Sequence, residues 1–241
     1  MAKTQYVTAN RLTIEAGEIR KRVLLIGMPI VTILCLVFPG IWWWFCTVFL
    51  IIFLNSGSIK RAGAQGEDST LKILSSLPDS YTVLNQVNVP NKESRTGNTE
   101  LDFIVVGPNG IFVIEVKNNN SKIMGTENDR EWLVHKVGRK GTAYTTSMRN
   151  PIKQLKRQIW ALGNFTKERG HKAWIEGIVF LSNPNSSLEF TGEPSVPILH
   201  NSGLTDYILN YKPRSSLNNP DKIVQDLAAI KQMANMPKHG F

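Results

Sequence analysis

Asp102, Glu115 and Lys117 are the residues here whose types and spacing could do chemistry. Two apolar runs, Leu101–Val106 and Ile111–Val116, are joined by Gly107-Pro108-Asn109-Gly110. Pro presets φ and Asn tolerates a positive φ, so the joint reads as a tight turn between two strands. With the turn centred between Pro108 and Asn109, Asp102 stands directly opposite Glu115. Lys117 follows two residues later on the same face, because strand side chains alternate. Opposed residues of this kind have Cβ atoms roughly 5 Å apart. Two carboxylates and an ammonium then project from one patch of an otherwise apolar sheet. Charges in that setting are costly unless they pair internally or hold a metal. Two acids plus a lysine suit a magnesium ion and a polarised water.

Among the lysines of the chain, only Lys117 has an acid two residues before it. The alternative to a metal site is a cross-strand ion pair on a solvated face, such as Glu100 with Lys117. The apolar setting weighs against it. Phe103–Val106 and Ile111–Ile114 leave neither run a polar face, the pattern of central strands buried on both sides.

These side chains need elements to position them. Ile59–Leu77 reads as a helix whose Gly63 and Gly66 imply close packing against a neighbour. Glu67 lies one turn before Leu71 and two before Leu74, on the inward stripe. It either answers the dipole of the first turn or joins the acidic patch. Tyr81–Val89 is the expected first strand, and Lys92–Thr99 a polar loop able to lie beside the site. Lys122–Met124, Trp132–Val137 and Trp174–Leu181 are expected strands, the last returning to the sheet by a crossover. Val196–Leu199 suits a short edge strand. Asn150-Pro151 starts a helix, with Asn as cap and Pro in the first turn. Ile152, Leu155, Ile159 and Leu162 form its expected buried stripe. Lys153, Lys156 and Arg157 form a basic edge, either a solvated face or a phosphate contact. Asn219-Pro220 opens a last amphipathic helix with Ile223, Leu227 and Ile230 on one stripe. His135, His171, His200 and His239 are scattered and read as structural or exposed.

Four pieces of the chain, in order, resemble the nuclease-related domain (NERD) family, a branch of the PD-(D/E)xK nuclease superfamily. They are Gly63-Ala64-Gln65-Gly66-Glu67, Leu101-Asp102 with Phe103–Val106, Gly110–Asn118 with its Glu115-Val116-Lys117, and Asn150-Pro151-Ile152-Lys153-Gln154. Phe103 stands where members often carry His. The resemblance implies an α/β fold with a restriction-endonuclease-like core, a mixed sheet flanked by helices. It implies hydrolysis of nucleic-acid phosphodiesters with magnesium or manganese, DNA ahead of RNA, and no small-molecule cofactor. Asp102, Glu115 and the Val116 backbone carbonyl would hold the ion, with Glu67 holding a second ion or a metal-bound water. Lys117 would orient the attacking water, and Gln154 would position a water or a phosphate oxygen. Lys153, Lys156 and Arg157 would meet the nucleic acid. A nuclease fold that binds nucleic acid or a protein partner without cutting is the alternative. A scaffold whose strand-end charges merely pair is a third reading.

The net charge is +9 over 241 residues, which favours polyanions. Part of that excess flanks an uncharged apolar segment, Val23–Leu54. As one helix it would reach about 48 Å, beyond the roughly 30 Å hydrocarbon core of a bilayer. Pro39-Gly40 interrupts it, and Trp42, Trp43 and Trp44 follow where an aromatic belt would sit. Arg20-Lys21-Arg22 and Lys60-Arg61 flank its two ends. By the positive-inside bias both ends face the cytoplasm, so a membrane helical hairpin is expected before the α/β core. One spanning helix near residues 31–54 and a buried soluble helical pair are the alternatives. The domain order that follows is a cytoplasmic segment over 1–22, the hairpin over 23–54, the nuclease-like domain over 58–200 and a helical extension packing on the core over 201–241. The expected location is the cell inner membrane, with the α/β domain on the cytoplasmic side. The two cysteines, Cys35 and Cys46, both lie in the apolar segment, and no Cys/His spacing suggests zinc.

Overall fold

The computed structural model describes residues 1–138, 141–200, 203–213 and 217–235; His239 lies outside them. The chain divides into two compact units, one made of Met1–Thr8 with Gly66–Phe241, the other of Ala9–Gln65.

In the larger unit the doubly apolar runs become the middle of a six-stranded mixed sheet. In chain order its strands are β1 (Lys3–Tyr6), β2 (Thr82–Pro90), β3 (Asn98–Gly107), β4 (Gly110–Lys117), β8 (Ile175–Leu181) and β10 (Ile198–His200), and they lie side by side in that same order. β2, β3 and β4 are antiparallel neighbours. β4, β8 and β10 run parallel. The helix α4 (Pro151–Glu168) lies on the path from β4 back to β8, as a parallel pair requires. One face of the sheet packs Ile104, Val106, Ile111 and Val113 against Ile152, Leu155, Ala161 and Leu162 of α4. Ile223, Val224 and Leu227 of α6 (Pro220–Asn235) join the same core. The opposite face packs Phe103, Val105, Phe112 and Ile114 against Leu74 of α3 (Ser58–Ser75), Leu77, and Leu204 and Ile208 of α5 (Gly203–Asn210). Burying each such side chain contributes about 1.5–3 kcal/mol. The result is a mixed α/β fold with its sheet flanked by helices.

A second sheet of four strands has the order β7 (Ala143–Arg149), β6 (Glu131–Val137), β5 (Lys122–Thr126), β9 (Ser187–Thr191). Its anchor is Trp132, fully buried and edge-on to Phe190 at 5.7 Å. Gly125 admits that indole, since a Cβ there would stand 2.3 Å from it.

The smaller unit holds α1 (Arg11–Val37), α2 (Trp42–Asn55) and the first turns of α3. Asn10 caps α1, its side chain accepting from Leu12 N at 2.9 Å. The helix ends at Phe38, just before Pro39-Gly40. Gly27 of α1 lies against the Phe49 ring of α2. Trp42, Trp43, Trp44, Leu50, Ile51 and Ile52 are all exposed. Among the described residues, one helical stretch, Trp42–Ser75, is long and apolar enough to cross a membrane.

Candidate functional site

The β3–β4 ladder pairs Gly107 with Gly110, Val106 with Ile111, and so on to Phe103 with Ile114. This is the register expected from the Pro108-Asn109 turn. Asp102 is the next residue, and there both ladders lapse. Neither the β3–β4 nor the β2–β3 pairing includes it, although β2–β3 pairing resumes at Leu101. Its opposite number on β2 is Gln86, a non-glycine residue at φ +48°. The period-two rule breaks here too. Leu101 and Ile104, three residues apart, share the core beneath α4, while Phe103 faces the other core. In place of a ladder bond, the Asp102 carboxylate accepts the Val116 backbone N–H at 2.9 Å.

Glu115 is 1% exposed. One of its oxygens is ion-paired with Lys117 Nζ. The other accepts from Gln158 Nε2 at 2.7 Å. Lys117 Nζ also donates to Gln154 Oε1 at 3.2 Å. The two glutamines lie one helical turn apart on α4, so one helix face holds both charged residues of β4. Glu67, in α3, accepts from Gln86 Nε2 at 2.8 Å. The preceding Gly66 is pressed against the ends of β4 and β8: a Cβ there would meet Asn118 at 2.5 Å and the Ser182 hydroxyl at 2.8 Å.

The electrostatics tie the three acids together. Burial, then the Glu115 charge, pushes Asp102 well above the usual carboxylate range; Lys117 and the Val116 N–H pull it down, and Glu67 pushes it up. Burial raises Glu67 to about 7; the Gln86 amide opposes this, and the charges of Glu100, Asp68 and Glu115 add to it. Asp102, Glu115, Lys117, Gln154 and Glu67 are thus brought into one neighbourhood. Lys153 and Lys156 are exposed and engaged elsewhere. The first donates to the Asn128 carbonyl at 2.5 Å and the second pairs with Glu127 at 2.5 Å. Arg157 lines a cleft of about 640 Å³ together with Arg149, Gln154, Gln158, Trp160 and Glu100. The far wall of that cleft includes Glu93, Ser94, Asn98 and Thr99, from the polar segment Lys92–Thr99 expected beside the site, and Asn91 just before it.

Gln158 is the residue that sequence reasoning missed. The buried stripe of α4 runs through Gln158, and Ile159 is only half-buried. Its signal was its spacing, four residues after Gln154. Its Nε2 also donates to the Glu100 carbonyl at 3.0 Å. Its Oε1 is buried with no hydrogen-bond partner among the described residues.

Among the described residues no group of three or more His, Cys, Asp or Glu side chains stands ready as a metal cage. The donor set is nevertheless of one kind. Carboxylate oxygens of Asp102 and Glu115 are hard donors, which suit a hard cation that fills its remaining positions with water.

A family model described as nuclease-related domain matches residues 62–182. An uncharacterised protein of Bacillus anthracis is 33% identical over 120 residues, 48% of this chain and 55% of that protein. The chain therefore spans about half the length of the curated relative it matches. No solved structure matches this chain significantly.

Proposed function

The chain belongs to the nuclease-related domain family, and from that premise we propose that it is a membrane-anchored nuclease that depends on a divalent cation. Its core is read as restriction-endonuclease-like. The observation that carries the reading is the meeting of Asp102, buried Glu115 and Lys117 at the end of one hairpin, braced by two glutamines of α4. Asp102 and Glu115, with the Val116 carbonyl, would hold magnesium or manganese, and Glu67 would contribute at its edge. When bound, the cation supplies Lewis-acid polarisation of a phosphodiester and a more acidic water. Lys117, aimed by Gln154, orients the attacking water and offsets charge developing on phosphorus. Gln158 fixes the Glu115 carboxylate so that it does not reorganise as charge builds. Nucleic acid, with DNA ahead of RNA, is the substrate class.

The α1–α2 pair is read as a membrane hairpin in the inner membrane, with the nuclease unit in the cytoplasm. Exposed Trp42–Trp44 and the flanking Arg20-Lys21-Arg22 and Lys60-Arg61 support this. With Cys35 and Cys46 replaced by Ala, an impermeant thiol reagent added to intact cells should label Gly40→Cys and spare Thr96→Cys. The reverse pattern would refute the hairpin.

The activity test uses the full chain in detergent against single- and double-stranded DNA and RNA with magnesium or manganese. Glu115→Ala should abolish cleavage while the thermal midpoint moves by only a few degrees. Binding without turnover by the unaltered chain under every metal would favour a module that no longer cuts.

A further inference from the structure

The cleft lined by Gln154 and Gln158, the two glutamines that hold Lys117 and Glu115, does not end at them. A second cleft of about 550 Å³ continues along α4, lined by Trp160, Ala161, Asn164, Lys167 and Glu168, with Pro90–Glu93 opposite. Trp160 lines both clefts and is 45% exposed, although it sits in a well-packed helix. Arg157, Trp160, Asn164 and Lys167 fall at spacings of three, four and three, one stripe of a helix. From Gln154 to Lys167 that stripe runs about 20 Å.

We infer that this groove binds single-stranded nucleic acid, with a base stacked on Trp160 and the strand leading to the acids at its Gln154–Gln158 end. The inference rests on the nuclease reading and names the substrate class of that site. Three observations carry it. An exposed indole midway along a polar groove offers a π-face that any base can use. With Lys156 set aside as paired with Glu127, the cations Arg149, Arg157, Lys167 and Lys92 still outnumber the acids Glu93, Glu100 and Glu168, so the walls favour a polyanion. The groove is walled by residues between Pro90 and Glu100 on one side and by α4 on the other. A base stacks on that indole only when it is free of its own duplex neighbours, which favours a single strand over a duplex.

The test uses the full chain in detergent and a fluorescein-labelled single-stranded oligonucleotide, with the corresponding duplex in parallel. Binding is followed by anisotropy in EDTA, so that no cleavage intervenes, and cleavage is followed separately with magnesium. The single strand should bind at least about tenfold more tightly than the duplex. Trp160→Ala should weaken single-strand binding roughly tenfold, and Trp160→Phe should keep most of the affinity. Arg157→Ala should weaken binding and flatten its salt dependence. Equal binding of duplex and single strand, or a Trp160→Ala chain that binds unchanged, overturns the inference. If the unaltered chain and Trp160→Ala both cut duplex equally well, the nuclease reading stands and this one falls. If no nucleic acid is bound or cut, both fall.

Discussion

The Asp102 carboxylate accepts the Val116 N–H at 2.9 Å, at the point where Asp102 has dropped out of both flanking ladders. One residue therefore serves the backbone and the acidic patch at once, and substitutions can separate the two roles. Asp102→Asn keeps an acceptor for Val116 and removes the charge. Its thermal midpoint without metal should equal or exceed that of the unaltered chain, while magnesium-dependent cleavage is lost. Asp102→Ala strands the N–H and should cost about 1–3 kcal/mol in urea unfolding. Equal stability of the two variants would sink this division of roles.

Gln158 is expected to matter more than Gln154. It is 1% exposed and bridges Glu115 to the Glu100 carbonyl, whereas Gln154 is half-buried and accepts from Lys117. Groups that orient a metal ligand typically carry about 10- to 100-fold in affinity or activity. Gln158→Leu should lower magnesium-dependent cleavage within that range and raise the magnesium concentration needed for half-maximal rate. Gln154→Leu should lower the rate with less change in metal requirement. The measurement is a magnesium titration of the cleavage rate for each variant.

Much of this arrangement was legible in the sequence, because tight turns and helix caps act locally. The Pro108-Asn109 turn sets the β3–β4 register, and Asn150 does accept from Ile152 N and Lys153 N at the start of α4. The rest depended on partners distant in the chain. Lys3–Tyr6 carries no apolar alternation, yet it forms β1 by pairing with β2, some eighty residues on. Strand β7 is exposed along most of its length, so β6 rather than a hydrophobic face holds it. The phase flip at Asp102 follows from the left-handed Gln86 on the opposing strand. Helical periodicity points to Ile159 as core, and it does pack there, half-buried over Gly177; only the buried Glu115 carboxylate explains why the polar Gln158 beside it is buried more deeply.

The acids should give stability and activity opposite slopes in pH. Glu67 is raised from 4.5 to about 7 and Asp102 is raised as well. A carboxyl with a raised folded value stabilises the fold fully below its unfolded value, and that contribution is lost as pH rises through the folded value. In EDTA the thermal midpoint should therefore fall between about pH 4.5 and 7, and Glu67→Gln should flatten the fall. Cleavage needs the same carboxyls ionised, so its rate at fixed magnesium should climb over that window. Parallel rather than opposed profiles would contradict the assignment.

Gly66 places Glu67. An added Cβ would lie 2.5 Å from Asn118 Cβ and 2.8 Å from the Ser182 hydroxyl, so Gly66→Ala must push α3 off the ends of β4 and β8. It should lower the thermal midpoint and weaken cleavage together. Gly163, also inside a helix, meets nothing closer than 4.0 Å. Gly163→Ala should instead stabilise by about 0.5–1 kcal/mol, through helix propensity alone.

Lys231 of α6 is buried at the other edge of the sheet, 5% exposed. Its Nζ donates to the Tyr6 carbonyl at 2.7 Å and to the Asn85 carbonyl and Oδ1 at 2.5 Å each. It thereby ties β1, β2 and α6 together. Burial lowers it from 10.5 to about 8. Below pH 8 the lysine is charged in both the folded and unfolded chain, and the cost of burying the charge is fully present. Between about pH 8 and 10.5 the folded chain sheds the proton and the unfolded chain keeps it, so stability rises with pH. The raised hydroxyls of Tyr81 and Tyr207 act in the opposite sense, but only from about pH 10 upward. From pH 7.5 to 9.5 the thermal midpoint should therefore increase by a few degrees, and Lys231→Met should remove that increase. The readout is the difference between the two curves. A difference that stays constant with pH would mean that the ammonium holds its proton throughout, and that the three acceptors outweigh burial.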